Sequence, residues 1–248
     1  AGALTILVLI VATFFLMHAV PGGPFNAGEN KEVPQETLDR LTEKYGLNKP
    51  VGEQFVLYMK SLFKGDLGLS YKKTGTTVNE LVARELPVSA RVGFLALMVS
   101  VILGLTLGIV SAVWKGSILD SMSMVFATIG ISVPSFVIAV LLMYFFCSYL
   151  QILPSFGLKS WVHYILPVSC LSFSPIAYIA RQTRSSMLEV MNADYIRTAR
   201  AKGLREFVVI AKHALKNAIM PVVTYLGPLV AGLLTGSFVT ERLFSVPG

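Results

Sequence analysis

Residues 121–158 read SMSMVFATIGISVPSFVIAVLLMYFFCSYLQILPSFGL and contain no Asp, Glu, Lys or Arg. A second uncharged run lies between Lys216 and Glu241. Apolar runs of about 20 residues are long enough to cross the hydrocarbon core of a bilayer as helices. Over its 248 residues the chain is 54% hydrophobic and 14% charged, and its mean hydropathy is +0.67. These values exclude an ordinary soluble domain and predict an all-α polytopic membrane protein.

Five membrane spans are predicted from the apolar runs. They cover approximately residues 1–20, 91–114, 122–150, 161–180 and 218–239. Pro134 and Pro228 fall inside the third and fifth spans, where a proline is expected to kink a helix.

The distribution of basic residues predicts how the spans are oriented. Residues 181–217 hold eight Lys or Arg against three Asp or Glu, an excess that is typical of a cytoplasmic loop. Residues 21–85 hold nine charges of each sign. With the spans alternating across the bilayer, we expect a cytoplasmic N-terminus and an extracytoplasmic insert at 21–87. The net charge of +7 then reflects membrane topology rather than binding to nucleic acid.

The insert carries helical patterns, so a small helical cap is expected there. One amphipathic helix is predicted to end before Gly65. Its apolar face comprises Phe55, Tyr58, Met59, Leu62 and Phe63. Thr77 and Glu80 have the spacing of a capping box at the start of the next helix. Pro34 and Gly46 bracket a third, shorter helix.

The chain shows no energy source of its own. Its spans hold almost no ionisable side chains, which gradient-driven transporters use to bind ions or relay protons. No phosphate-binding GxxxxGK[ST] loop, metal-ligand cluster or Ser–His–Asp arrangement is recognisable in the sequence. Cys147 and Cys170 both lie in apolar runs and are interpreted as buried hydrophobic residues. Transport against a gradient would therefore need energy delivered by another protein.

Two spans carry small residues four positions apart, a spacing that lets helix backbones approach closely. These residues are Ser100, Gly104, Gly108 and Ala112 in the second span, and Gly232 and Gly236 in the fifth. Packing within the chain and pairing with a second membrane subunit both fit this pattern, and the first is favoured.

The loop at 181–217 contains two amphipathic helical patterns separated by Gly203. In the first, Ile196, Ala199 and Gly203 share a narrow face, while Arg197 and Arg200 lie on another. Gly203 suits a helix end, because a residue without a Cβ adopts the left-handed conformation at no steric cost. The second pattern places on one face Phe207, Ile210, Ala211, Ala214 and Leu215. A loop that only sets topology or touches anionic lipid needs charge but not two phased helices, so a protein-docking surface is favoured.

Residues 181–204, RQTRSSMLEVMNADYIRTARAKGL, and 212–221, KHALKNAIMP, resemble the cytoplasmic loop of permease subunits in ABC importers. More closely, they resemble the oligopeptide/dipeptide/nickel branch of that family. Arg197 stands where the general loop pattern has Glu and Lys216 where it has Pro, but RTARAKG is the form typical of the peptide branch. PGGPF after the first span, GDLGLSY at 65–71 and ERLFSVPG at 241–248 extend the resemblance over nearly the whole chain.

The resemblance implies a type I ABC importer fold, with residues 88–248 as its transmembrane domain. Family members continue into a sixth span, so the resemblance also implies that a last helix is missing from this sequence. The expected partners are a similar permease subunit, two ATPase subunits, an extracytoplasmic substrate-binding protein and a peptide substrate. ATP and Mg²⁺ would be bound by the ATPases, and this chain would be a non-enzymatic subunit without cofactor, metal or nucleic acid. The expected location is a bacterial or archaeal cytoplasmic membrane.

By the same resemblance, one segment of the loop forms the coupling helix that seats in an ATPase. It consists of Asp194, Tyr195, Ile196, Arg197, Thr198, Ala199, Arg200, Ala201, Lys202, Gly203 and Leu204. Four further residues are candidates for lining a pathway, since polar or kinking groups in apolar spans often face water. They are Ser132, Pro134, Ser135 and Tyr225.

Three alternatives remain open from the sequence. One is a permease of the same branch for nickel or another small solute. Another, of a different class, is a gradient-driven carrier or passive channel whose basic loop only anchors it. The third is a scaffold or receptor that transports nothing.

Overall fold

The computed structural model describes residues 2–19, 46, 48–70 and 76–246, and their regular structure is helical apart from one isolated β-bridge between Leu69 and Thr77. The first helices are α1 (Gly2–Ala19), α2 (Val51–Phe63), α3 (Val78–Val113), α4 (Ile118–Ser132) and α5 (Ser135–Met143), the last continued by a π-helical stretch, Tyr144–Tyr149. The long α6 (Val162–Met191) is followed by α7 (Asp194–Ala201) and α8 (Glu206–Val208). A second π-helical stretch (Val209–Ala214), α9 (Leu215–Ala218), α10 (Met220–Leu234) and α11 (Phe238–Leu243) complete the described chain. The prediction of an all-α chain is confirmed.

Residues 1–83 form one of two units into which the chain divides. Within this unit Phe14 of α1 packs its ring against Phe55 and Tyr58 of α2, at centroid separations of 5.2 and 5.5 Å. His18 Nε2 lies 3.0 Å from Gln54 Oε1. The predicted amphipathic helix is therefore confirmed, and Phe55 and Tyr58 of its apolar face meet the first span, whereas Phe63 of that face is 85% exposed.

Local signals around this unit also behave as predicted. Gly65, with φ of +77°, follows the end of α2. The capping box is formed in both directions, because the Glu80 amide donates to Thr77 Oγ1 and the Thr77 amide donates to Glu80 Oε2, each at 3.2 Å. The helix predicted between Pro34 and Gly46 lies outside the described residues, apart from Gly46 itself.

Among the described residues, four helical segments are long and apolar enough to cross a membrane, and the count is five if one bent pair is taken as a single span. The four are Gly2–Ala19, Val78–Val113, Val162–Met191 and Met220–Leu243. Val78–Val113 begins well before the predicted span at 91–114, within the predicted insert. Val162–Met191 continues well past the predicted span at 161–180, into the predicted loop.

The third predicted span is where the structure departs most from the sequence-based expectation. Instead of one kinked helix at 122–150, the chain bends by 108° between α4 and the segment 135–149. Val133 is extended, with ψ of 125°, a conformation that the ring of the following proline favours at the residue before it. Pro134 also has no N–H with which to continue the helical hydrogen bonds. The proline therefore breaks the helix rather than bending it.

The small residues of α3 pack against α6, as the four-residue spacing predicted. A Cβ on Gly104 would lie 2.7 Å from the Cβ of Ile179, and a Cβ on Gly108 would lie 2.5 Å from the Cβ of Thr183. Ser100 Oγ donates to the carbonyl of Ala96 in its own helix. The two helices therefore approach at a distance that only glycine permits at these positions.

The second stripe behaves differently from the first. A Cβ on Gly232 would meet no described atom within 4 Å. Gly236 has φ of +84° and lies just beyond the end of α10. A Cβ on Gly236 would lie 3.1 Å from the Cβ of Ser89 on α3, so within the described chain only Gly236 of this pair lies close to another helix.

A small core lies where the spans meet the loop. Its buried members are Ala112, Met187, Ile196, Ala199, Val209, Ala214 and Ala218. The predicted stripe after Gly203 is confirmed for Ile210, Ala214 and Leu215, which lie in or against this core. It is wrong for Phe207, which is 80% exposed, and for Ala211, which is exposed, while Val209 faces the core instead. The wider turns of the π-helical stretch shift the phase, so that Val209 and Ala214, five residues apart, point inward together.

Candidate docking loop

Helix α7 presents two different faces. Ile196 and Ala199 are buried in the core at the loop, at 0% and 6% exposure, and anchor the helix to the rest of the chain. The other predicted coupling residues are exposed; they are Asp194, Tyr195, Arg197, Thr198, Arg200, Ala201, Lys202, Gly203 and Leu204. The face that is available to another protein is therefore the polar one, and the small apolar strip serves the chain's own packing.

Gly203 ends the helix in the way the sequence predicted. Its φ is +73°, the left-handed conformation. The Leu204 amide donates to the Ala199 carbonyl at 3.4 Å, and the Gly203 amide donates to the Arg200 carbonyl at 2.9 Å. This pair of hydrogen bonds is the Schellman arrangement, which satisfies the last carbonyls of a helix and reverses the chain.

An ion pair links α7 to the start of α8, across the turn at Gly203. Arg200 donates from Nε and Nη2 to the two carboxylate oxygens of Glu206, at 3.1 and 2.7 Å. These hydrogen bonds hold the pKa of the Glu206 carboxyl below its usual range and raise that of the Arg200 guanidinium. A planar, two-pronged contact of this kind fixes orientation as well as charge.

The start of α7 is held by a second cross-link. Asn217 Nδ2 donates to the hydroxyl of Tyr195 at 2.8 Å. By contrast, the 3.6 Å pair between Arg197 and Asp194 is 72% and 98% exposed, so it constrains the two side chains very little. The backbone of the helix is therefore fixed, while the charges on its outer face remain in solvent.

Sequence reasoning missed the residues that brace the loop. Glu206 and Asn217 lie six and 22 positions from their partners, spacings that no helical periodicity singles out. It also ended the helix of the fourth predicted span at residue 180. That helix extends to Met191 and includes Arg184, which forms a buried ion pair with Asp120.

The four predicted pathway residues fall in two places. Ser132, Pro134 and Ser135 are exposed and lie together at the break between α4 and α5. Cys170 Sγ donates to the Ser135 carbonyl at 3.3 Å. Tyr225 lies on α10, with its ring centroid 4.1 Å from that of Tyr178 on α6. Nothing in these contacts identifies a pathway, and the role of all four residues stays a prediction.

Among the described residues, no group of three or more His, Cys, Asp or Glu is placed to hold a metal ion.

Comparison with known proteins gives consistent results along the whole chain. Residues 104–248 match the family described as binding-protein-dependent transport system inner membrane component. Residues 1–93 match the N-terminal family of the same kind of membrane component.

Individual relatives carry the similarity over the full length. The dipeptide transport system permease protein DppB of Bacillus subtilis is 46% identical over 248 residues, which is 100% of this chain and 80% of the relative. The oligopeptide transport system permease proteins OppB of Haemophilus influenzae and Salmonella typhimurium are 42% and 44% identical, each over 98% of this chain and 80% of the relative.

One solved structure shows the same fold at low sequence identity. It is a chain of the methionine ABC transporter MetNI in an inward-facing conformation, with a TM-score of 0.50 and 20% identity. The match covers 62% of this chain and 70% of that one.

Proposed function

Because the chain belongs to the family of binding-protein-dependent transport system inner membrane components, we propose that Asp194–Leu204 is the segment through which ATPase subunits drive transport. The chain is a permease subunit of an ABC importer for dipeptides or oligopeptides, and as such is a transport component rather than an enzyme. It works in the inner membrane, together with ATPase, partner-permease and substrate-binding subunits.

The observation that carries the docking role is the contrast between the two sides of α7. The buried side, Ile196 and Ala199, connects the helix rigidly to Met187 and hence to α6. The exposed side offers Arg197, Thr198 and Lys202 to solvent. A force applied to the exposed side is therefore transmitted to a long helix instead of being absorbed by a flexible loop.

The charge of the exposed side indicates the chemistry of its partner. Arg197, Arg200 and Lys202 are basic, and Asp194 is the acidic residue among the eleven of the segment. We propose that the ATPase groove presents carboxylates to these groups, since complementary charge sets the register of an interface.

The remaining assembly follows from the same role. We propose that two ATPase subunits bind ATP and Mg²⁺ on the cytoplasmic side, where the N-terminus also lies, and that a homologous permease completes the channel. The substrate-binding protein would deliver peptide from outside. Alternation between inward- and outward-open states would follow from closure of the ATPase pair, a two-state change biased by nucleotide. Ser132, Pro134, Ser135 and Tyr225 are proposed to face the peptide on its way through.

A charge-reversal experiment tests the docking role. The Arg197→Glu variant, co-expressed with the partner subunits, is expected to retain less ATPase on purification and to take up less labelled peptide in ATP-loaded vesicles. Arg84→Glu is the matched control, because that arginine is also mostly exposed, at 65%, but lies outside the loop. Equal ATPase retention and equal uptake in the two variants would contradict docking through this face.

The same uptake assay, repeated with vesicles that lack the ATPase subunits, separates the competing classes of function. A gradient-driven carrier would accumulate peptide in vesicles without any ATPase present. A scaffold would show neither uptake nor ATP hydrolysis that responds to the substrate-binding protein.

A further inference from the structure

One buried carboxylate, that of Asp120, joins three parts of the chain that precede α7. Asp120 accepts from Arg184 Nε at 2.5 Å and from Arg184 Nη2 at 2.8 Å. It also accepts from the hydroxyl of Ser111 at 2.5 Å and from the amide of Gly116 at 2.9 Å. The donors come from α6, from the end of α3 and from the turn before α4, and the Asp120 side chain is only 6% exposed.

Stability alone is a weak reason for such a pair. Removing two charges from water costs free energy, and their mutual attraction often only just offsets this cost. Apolar residues of similar volume frequently stabilise a fold equally well. What the bidentate geometry adds is a fixed register, because the guanidinium fork and the carboxylate meet in one orientation. At this site it fixes the start of α4 against α6.

The pair lies on a continuous line of contacts from the loop into the bilayer. Arg184 lies about two turns before the end of α6, and only residues 192 and 193 separate that end from α7. Met187, one turn beyond Arg184, shares the buried core with Ile196 of α7.

In the other direction, α4 remains tightly packed on α6 up to the break. The rings of Phe126 and Phe173 lie edge to face with centroids 5.0 Å apart. A Cβ on Gly130 would lie 2.5 Å from the Cβ of Ala177, so the two backbones are in close contact just before Ser132 ends the helix. With Asp120 at one end and Gly130 at the other, α4 has contacts to α6 along its whole length.

We propose that Asp120 and Arg184 are a positioning pair that couples the docking loop to the helix break at Val133–Pro134. When an ATPase displaces α7, α6 follows, and the ion pair makes α4 move with α6 instead of sliding along it. The displacement then reaches the 108° junction between α4 and α5, where a change of angle alters the path through the membrane. This inference rests on the proposed function of the loop, and it assigns no contact with substrate or nucleotide to either residue.

The test uses the complete complex in vesicles, with peptide uptake and ATP hydrolysis measured in the same preparation. Asp120→Asn retains the shape of the side chain and removes its charge. We expect the amount of peptide taken up per ATP hydrolysed to fall by roughly fivefold or more, the lower end of typical coupling between distant sites, with ATP hydrolysis retained. Glu53→Gln is the matched control, since it removes the carboxylate of Glu53, on α2, from an exposed pair with Lys49. The ratio in this variant should equal that of the wild type.

The ratio distinguishes coupling from a merely structural role, which would lower uptake and hydrolysis in proportion. An unchanged ratio in Asp120→Asn would therefore overturn the proposal. If that variant does not assemble, Arg184→Lys decides in the same two directions, because it retains the positive charge but loses the two-pronged contact with Asp120 that fixes the register. A wild-type complex without ATP-driven uptake would instead overturn the proposed function, and the inference with it.

Discussion

Substitution of Gly203 tests how much the docking loop depends on its turn. Its φ of +73° lies in the left-handed region, and no described atom lies within 4 Å of a Cβ added there. The cost of Gly203→Ala is therefore conformational rather than steric, and amounts to about 1–2 kcal/mol for an L-residue in this region. That corresponds to a shift of about five- to thirtyfold between the folded and the open turn.

Gly203→Pro is expected to have a much larger effect. Proline fixes φ near −65° and removes the amide that donates to the Arg200 carbonyl, at a cost of about 3 kcal/mol or more. This is a shift of more than about a hundredfold. Gly232→Ala is the control, because that glycine lies inside α10 with open space around it and alanine is the better helix former.

The assay measures the ATPase subunits that co-purify with tagged membrane complexes and the ATP-driven uptake of peptide by vesicles. We expect both to decrease from wild type to Gly203→Ala to Gly203→Pro, with membrane insertion of the chain unchanged and Gly232→Ala equal to wild type. Wild-type levels of ATPase and uptake in Gly203→Pro would refute the dependence of docking on this turn.

Other substitutions test the packing and electrostatics around the loop. The ion pair with Arg200 lowers the pKa of Glu206 in the folded loop. Its contribution to the stability of the loop is therefore present above the unfolded pKa of about 4.3 and is lost as pH falls through the folded pKa. Because both side chains are partly exposed, this contribution is at most about 1 kcal/mol. The protection factors of the loop amides, which are exchange rates corrected for the intrinsic effect of pH, should therefore fall at acid pH in the wild type, and Glu206→Gln should show low protection without this pH step. Gly108→Ala should lower the unfolding temperature of the complex in detergent, at a cost of about 1–3 kcal/mol, because its Cβ would lie 2.5 Å from that of Thr183, whereas Gly232→Ala should not. Thr183→Val should leave that temperature unchanged or raise it, since the buried Oγ1 has no hydrogen-bond partner among the described residues and loses nothing on replacement by a methyl group; a marked loss of stability would contradict this.

The features predicted correctly from the sequence are those set by neighbouring residues. The capping box at Thr77 and the helix end at Gly203 depend on a few consecutive positions, which carry their own conformational preferences. The small-residue stripe at Gly104 and Gly108 succeeded because a four-residue period on one helix already indicates a face that another backbone can approach.

The features that were missed depend on the helical phase of a segment or on partners that are far apart in the sequence. The π-helical stretch Val209–Ala214 shifts the inward-facing positions by one residue, and nothing in the composition of this segment indicated it. The pairs Asp120–Arg184 and Arg200–Glu206 require knowledge of which elements meet, across 64 positions in the first case. The proline at 134 was identified as a distortion, but whether a helix bends or breaks there depends on the tertiary packing of both halves on α6.

Photo-cross-linking from α7 tests the central claim most directly. A photoreactive amino acid at Thr198, on the exposed side of the helix, is expected to form an adduct with an ATPase subunit in the assembled complex. The same group at Phe63, which is 85% exposed on α2, is expected to form none. An assembled, ATP-hydrolysing complex in which position 198 yields no ATPase adduct, or in which both positions yield it equally, would contradict the assignment of this helix as the docking surface.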